Sequence, residues 1–171
     1  MTFAYRESSV PFSYLNGPHQ PIGFGIDIYA KVIDALRRQT GRPDLEVRWQ
    51  AVTSQNRIPL LANGTIDLEC GSTSNTATRA KSVAFAVNYF YTGTRLLVKR
   101  GTGLRGFADL KGKTVAVTTG TTSFRLMRQY DLEHGMGIML MAGKDHADSF
   151  LLLESGRAAA FVMDDILLYG Q

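Results

Sequence analysis

Two arginines stand beside hydroxyl-rich stretches in this sequence, and that combination is its clearest sign of chemistry. Arg6 is followed by Ser8 and Ser9, and Arg79 follows Ser72, Thr73 and Ser74. A guanidinium presents a planar two-pronged fork to a carboxylate, and nearby hydroxyls complete the contacts. Thr121, Thr122 and Ser123 form a third polar corner, and Asp164 follows an apolar run over 158–163. Two separated forks, several hydroxyls and one carboxylate together suit an acidic amino acid, whose ammonium group Asp164 would take. Each residue also has a plainer role open to it: Arg6 as a surface charge, 121–123 as a helix cap, Asp164 as the cap of a last helix. His146 has the role of a cap, or of a partner to Asp145 or Asp148.

These residues need strand ends and helix starts to hold them. Residues 2–5 read as a first strand that delivers Arg6 beyond its carboxyl end. The aromatic stretch 10–14 is broken by Pro11, and Asn16, Gly17 and Pro18 make a turn. Ile26, Ala30, Ile33 and Leu36 recur near helical spacing, with Gly41 as the stop. A strand over 45–52, a helix over 55–62 capped by Thr53, and a strand over 64–69 form a right-handed unit on a mainly parallel sheet. Its strand ends would set Arg6 and Ser72 along one edge, where open sheets bind ligands. Ser74 or Asn75 would cap a short helix over 76–82 that carries Arg79. Phe85, Tyr89, Phe90 and Tyr91 would wall a pocket or pack in a core.

After a strand over 94–99 the pattern restarts. A strand over 114–117 leads to the polar corner and a helix over 124–133, then comes a strand over 138–141. A helix follows through 150–153, ended by Gly156, and a last strand over 158–163 runs into Asp164 and Asp165. The repeated grammar of strand, hydroxyl corner and helix predicts two α/β lobes with a ligand cleft. The boundaries are 1–93 for the first lobe, 94–100 for a hinge strand and 101–171 for a partial second lobe. A single doubly wound domain is the alternative architecture.

Composition narrows the function. The 171 residues are 44% apolar, enough for a real core, and the net charge of +4 is scattered. No basic stripe points to nucleic acid. No apolar run is long enough to span a membrane, and no leader pattern opens the chain, as for a cytosolic protein or one begun after its signal peptide. Cys70 is the one cysteine, so no bridge forms within this sequence and no cysteine cluster holds a metal. A nucleophile elbow, a phosphate-binding loop and a zinc-binding helix motif are all missing. No cofactor or metal is expected, and binding outranks catalysis.

The stretches RESSVPFSY (6–14), TSQNRIPLL (53–61), ECGST (69–73), GTRLL (93–97), FADLKGK (107–113) and GTTS (120–123) give the sequence a family resemblance. KDH (144–146), DSF (148–150), LESGRA (153–158) and MDD (163–165) extend it across the chain. It resembles the periplasmic solute-binding proteins of amino-acid ABC transporters, and within them the glutamate/aspartate-binding branch. The resemblance implies a periplasmic, non-catalytic protein, with a signal peptide in its precursor, that delivers glutamate or aspartate to a membrane permease. It also assigns roles: Arg79 and Ser74 on the α-carboxylate with a backbone N–H near Thr121, Asp164 and the region of Ser72 on the α-ammonium, Arg6 and His146 on the side-chain carboxylate. Ser74 stands where the branch commonly has threonine.

Members of that family continue beyond the point matching Gln171, so the resemblance implies a C-terminally truncated chain with an incomplete second lobe. The partner of Cys70 in this branch would lie in the absent part, leaving Cys70 unbridged or linked to another chain. Either reduced stability or self-association through the incomplete lobe, covering its exposed edge, is expected. Two other functions share this framework: an amino-acid-sensing module of a receptor, and a related dehydratase acting on prephenate or arogenate.

Overall fold

The computed structural model describes residues 1–18 and 20–171. The chain divides into two compact units, Met1–Asn88 and Tyr89–Gln171. In the first unit β1 (Thr2–Tyr5) leads to three short strands, β2 (Ser8–Ser9), β3 (Ser13–Asn16) and β4 (Gln20–Ile22). There follow α1 (Phe24–Thr40), β5 (Arg48–Ala51), α2 (Arg57–Ala62) and β6 (Leu68–Glu69). β5, β1 and β6 form a parallel sheet in that order, while β2, β3 and β4 form a separate antiparallel one. The sequence reading missed this antiparallel sheet, because Pro11 hid the strand tendency of its neighbours.

Alternation along β1 sends successive side chains to opposite faces. Phe3 clusters with Tyr29 of α1, with Ile33 and Leu36 packed against the pair, and Ala4 clusters with Val52 and Ile66, against which Leu60 of α2 packs. Full burial of a side chain such as Phe3 contributes about 1.5–3 kcal/mol. At the start of α1, Gly23 has φ 119°, and a Cβ on Gly25 would lie 2.3 Å from the Cys70 carbonyl oxygen. Only glycine lets the helix come this close to the end of β6. Gly41, at φ 66°, ends α1 with its N–H on the Arg37 carbonyl.

One buried hydroxyl ties this sheet to its helix. Tyr29 Oη lies 2.7 Å from the Ala4 carbonyl and 3.1 Å from that of Leu68, and it accepts the Cys70 N–H at 2.5 Å. The helix thereby holds the carboxyl ends of β1 and β6, the two strands that lead to Arg6 and Ser72.

The second unit has a four-stranded sheet in the order β7 (Thr94–Val98), β10 (Ala160–Asp164), β8 (Thr114–Thr118) and β9 (Met139–Gly143). β7 runs antiparallel and the others parallel. Between the strands lie α3 (Thr122–His134), α4 (His146–Glu154) and, at the end, α5 (Asp165–Tyr169). Val115, Val117, Ala160 and Val162 form a core with Met127 of α3. Thr118, in phase with Ala116, bonds Ser149 of α4, so α4 covers the opposite face.

One local expectation is corrected. Residues 76–82 do not form the expected α-helix, and neither Ser74 nor Asn75 caps one: a single 3-10 turn over Arg79–Lys81 stands there, with Thr78 at its cap position. Thr76 and Thr78 weaken helix propensity at its start, and the turn has no buried residue by which packing could hold a longer helix.

The Tyr29 contacts predict a measurable cost. Tyr29→Phe keeps the ring but leaves the Cys70 N–H and the Ala4 carbonyl buried without this partner. Urea denaturation should show a loss of about 1–3 kcal/mol; an unchanged midpoint would mean that the hydroxyl does not hold the strand ends.

Candidate ligand-binding site

In parallel sheets the groups just beyond the strand carboxyl ends share one edge. In the first unit, β1 and β6 pair Ala4 with Glu69, and continuing that register sets Arg6 beside Gly71. A Cβ on Gly71 would lie 3.5 Å from Arg6 Cγ and 2.8 Å from Glu69 Oε1, so glycine leaves room for both side chains. Arg6 is only 1% exposed, and its N–H donates to Ser13 Oγ at 2.8 Å. The antiparallel sheet therefore fixes the backbone from which this guanidinium extends.

Ser54 follows β5, and Arg57 opens α2 with 2% exposure. Arg57 Nη1 lies 3.9 Å from Glu69 Oε1, with both side chains nearly excluded from water. The edge thus holds two guanidiniums, of Arg6 and Arg57, and the Glu69 carboxylate. Buried charge is retained only where it is paired or hydrogen-bonded, and a guanidinium fork suits a carboxylate. Ser72, Ser74 and Arg79 lie half-buried farther along. Arg79 Nη1 donates to the Ser74 carbonyl at 2.9 Å, and its N–H donates to Thr76 Oγ1 at 3.3 Å. These bonds fold the guanidinium back over the stretch that carries Ser74.

The second unit gathers its polar groups at its own strand ends. Thr121 caps α3 by accepting the Phe124 N–H at 3.1 Å and donates its own hydroxyl to the Thr118 carbonyl at 2.7 Å. Asp145 caps α4 by accepting the Asp148 N–H at 2.9 Å. His146, the first residue of α4, is 1% exposed, and its Nδ1 lies 3.0 Å from Thr118 Oγ1. Asp164 ends β10 at 7% exposure and precedes α5 without a side-chain cap bond. The carboxyl of Asp165 beside it is held below the usual carboxylate range, chiefly by the Thr92 hydroxyl at 2.6 Å. Its stabilising contribution is present above the ordinary pKa of about 4 and is lost as pH falls through the lowered value.

Arg6, Ser72, Ser74 and Arg79 therefore lie in one unit, and Thr121, His146 and Asp164 lie in the other. Ser54, Arg57 and Ser149 were not singled out in the sequence. A residue opening a helix directly after a parallel strand stands at the carboxyl edge, and that rule would have pointed to Arg57. Among the described residues no cluster of three or more His, Cys, Asp or Glu side chains is placed to hold a metal.

The profile of the bacterial extracellular solute-binding proteins, family 3, matches residues 1–154. The chain belongs to this family. It is 50% identical over its whole length to the L-glutamate/L-aspartate-binding protein of Pseudomonas aeruginosa, covering 57% of that protein. It is 49% identical over 98% of its length to the glutamate/aspartate import solute-binding protein of Escherichia coli, covering 55% of it. Holo ArgBP from T. maritima superimposes with a TM-score of 0.85 at 29% identity, over 99% of this chain and 70% of that one. The chain thus spans little more than half the length of its two curated relatives, with the α/β architecture of a periplasmic binding protein. Membership in this solute-binding family sets it among non-catalytic proteins.

The Arg57 and Glu69 pair gives a double-mutant test. Glu69→Gln leaves a buried guanidinium without its carboxylate and should cost about 3–5 kcal/mol in urea unfolding, while adding Arg57→Met should restore most of the loss. Additive losses in the double variant would show that the two side chains act separately.

Proposed function

We propose that this solute-binding chain takes up glutamate or aspartate outside the cytoplasm for delivery to an ABC transporter permease. The reading is carried by 49–50% identity to two glutamate/aspartate-binding proteins over 98–100% of the chain. Two buried guanidiniums at one sheet edge support it, because such forks match the planar carboxylate of an acidic side chain.

In this reading Arg79 and Ser74 take the α-carboxylate, joined by a backbone N–H near Thr121. Asp164 and Ser72 take the α-ammonium group, while Arg6 and His146 take the side-chain carboxylate. Recognition is then a matter of charge placed at both ends of one small molecule, and a neutral amide side chain would leave a buried guanidinium poorly matched.

Titration calorimetry with the 171-residue chain tests the specificity. Glutamate and aspartate should bind, with glutamine and arginine at least about tenfold weaker; equal affinity for glutamate and glutamine would contradict the reading. Arg79→Ala should cost about 2–5 kcal/mol of binding while circular dichroism stays unchanged.

Self-association belongs to the same proposal. β7 and β9 are the outer strands of the second sheet, Met139 of β9 is 59% exposed, and unpaired strand edges invite pairing with another copy. Sedimentation velocity should show dimers or larger species at micromolar concentration, and a purely monomeric boundary would remove this part.

A further inference from the structure

His146 is not alone in its surroundings: a chain of hydroxyls begins at its ring. Nδ1 lies 3.0 Å from Thr118 Oγ1, and Thr118 Oγ1 lies 2.8 Å from Ser149 Oγ. Ser149 Oγ in turn lies 3.0 Å from the Val117 carbonyl and 2.9 Å from the Asp145 carbonyl. His146 is 1% exposed, and Thr118 and Ser149 are fully buried. Gly143 holds the arrangement tight, since a Cβ there would lie 2.5 Å from Ser149 Oγ.

The carbonyl end sets the direction of every proton in the chain. A carbonyl only accepts, so the Ser149 hydroxyl donates to Val117 and Asp145. Its oxygen then accepts from Thr118, whose one proton is thereby used. Thr118 Oγ1 is left as an acceptor towards the ring, so Nδ1 carries the hydrogen. The Asp145 carbonyl, 3.5 Å from Thr118 Oγ1, is the other acceptor for the Thr118 proton and leaves the same acceptor facing the ring, whereas the reverse direction takes the Ser149 proton from the Val117 carbonyl and leaves the buried chain one hydrogen bond short.

We propose that Thr118 and Ser149 are positioning residues that lock His146 with its proton on Nδ1, so that the ring meets a ligand carboxylate through Nε2 only by taking up a second proton. This rests on the reading of the chain as an acidic amino-acid binder. With Nδ1–H fixed, a neutral ring has a lone pair on Nε2, which repels a carboxylate. Protonation turns Nε2 into a donor and adds a positive charge. One proton therefore enters from solvent with each acidic ligand, and the lock favours a side-chain carboxylate over an amide.

Within the second unit, the described elements around His146 contribute the following charged groups. Strands β8 and β9, against which α4 packs, carry no ionisable side chain, and β10 contributes Asp164. The turn before α4 and its first turn contribute Lys144, Asp145 and Asp148. Asp145 is engaged by the Asp148 N–H, and the Asp148 carboxylate lies 3.9 Å from Lys144 Nζ. Burial and the amino end of a helix both work against an imidazolium, and a carboxylate brought to Nε2 works in its favour.

Two measurements on the unaltered chain test this. Long-range proton–nitrogen correlation spectra of the ligand-free chain at pH 8 should place the His146 proton on Nδ1. A proton on Nε2 would overturn the proposal whether or not the chain binds anything. Calorimetric titration of L-glutamate at pH 8 in buffers of different ionisation enthalpy should show uptake of more than about half a proton per ligand, with affinity falling by up to about tenfold per pH unit above that. Binding without proton uptake would overturn the proposal and leave the binding function standing; no heat from glutamate or aspartate would remove that function, with the spectra still judging the lock. In Thr118→Val the ring is released to the other tautomer, so uptake should fall towards zero while glutamate still binds. Ser149→Ala should lower it in the same direction, and unchanged uptake in both variants would refute the roles given to these residues.

Discussion

A hydroxyl carried by a helix, bonded to the carboxyl end of a parallel strand, is the interaction on which both units depend. In the first unit Tyr29 of α1 reaches the Ala4 and Leu68 carbonyls and the Cys70 N–H. In the second, Ser149 of α4 reaches the Val117 carbonyl and the Thr118 hydroxyl. A strand end is where ladder pairing stops and main-chain groups need other partners. Supplying those partners from a packed helix keeps the edge dry and fixes the direction of the next residues. Arg6 and Ser72 follow the first such point, and the corner around Thr121 follows the second.

Dry, fixed edges explain how charged and polar side chains remain buried. Arg6 and Arg57 are nearly inaccessible to water, and Glu69 stands against Arg57. Guanidiniums in that setting act far more strongly than they would in water, where the dielectric would screen them. Holding them there carries a desolvation cost that pairing and hydrogen bonds must offset. The family match and the identities to glutamate/aspartate-binding proteins support the proposed role in transport.

Much of the fold is legible in the sequence because its signals are local. The strand over Thr2–Tyr5, the stop at Gly41, the cap at Thr121 and the end strand after 158 follow from alternation, glycine and hydroxyl placement. What escaped has local as well as distant causes. The hairpin that pairs Ser13–Asn16 with Gln20–Ile22 is close in sequence, but Pro11 and Pro21 interrupt the strand signal there. The helix expected over 76–82 shrinks to one 3-10 turn because none of the turn's residues is buried against a core. At the site, Arg6 and Arg79 stood out by their serine neighbours. Arg57 did not, because its significance comes from Glu69, twelve residues later and across a turn. Ser149 reads as an ordinary helix residue until β8 is placed beside it.

The central claim is that acidic amino-acid binding is achieved by arginines held at the strand ends. A crystal structure of this chain grown with L-glutamate tests it most directly. The α-carboxylate should lie within hydrogen-bond distance of the Arg79 guanidinium, and the side-chain carboxylate should lie at Arg6. Glutamate bound away from both arginines, or arginines turned to solvent beside an ordered ligand, would contradict it.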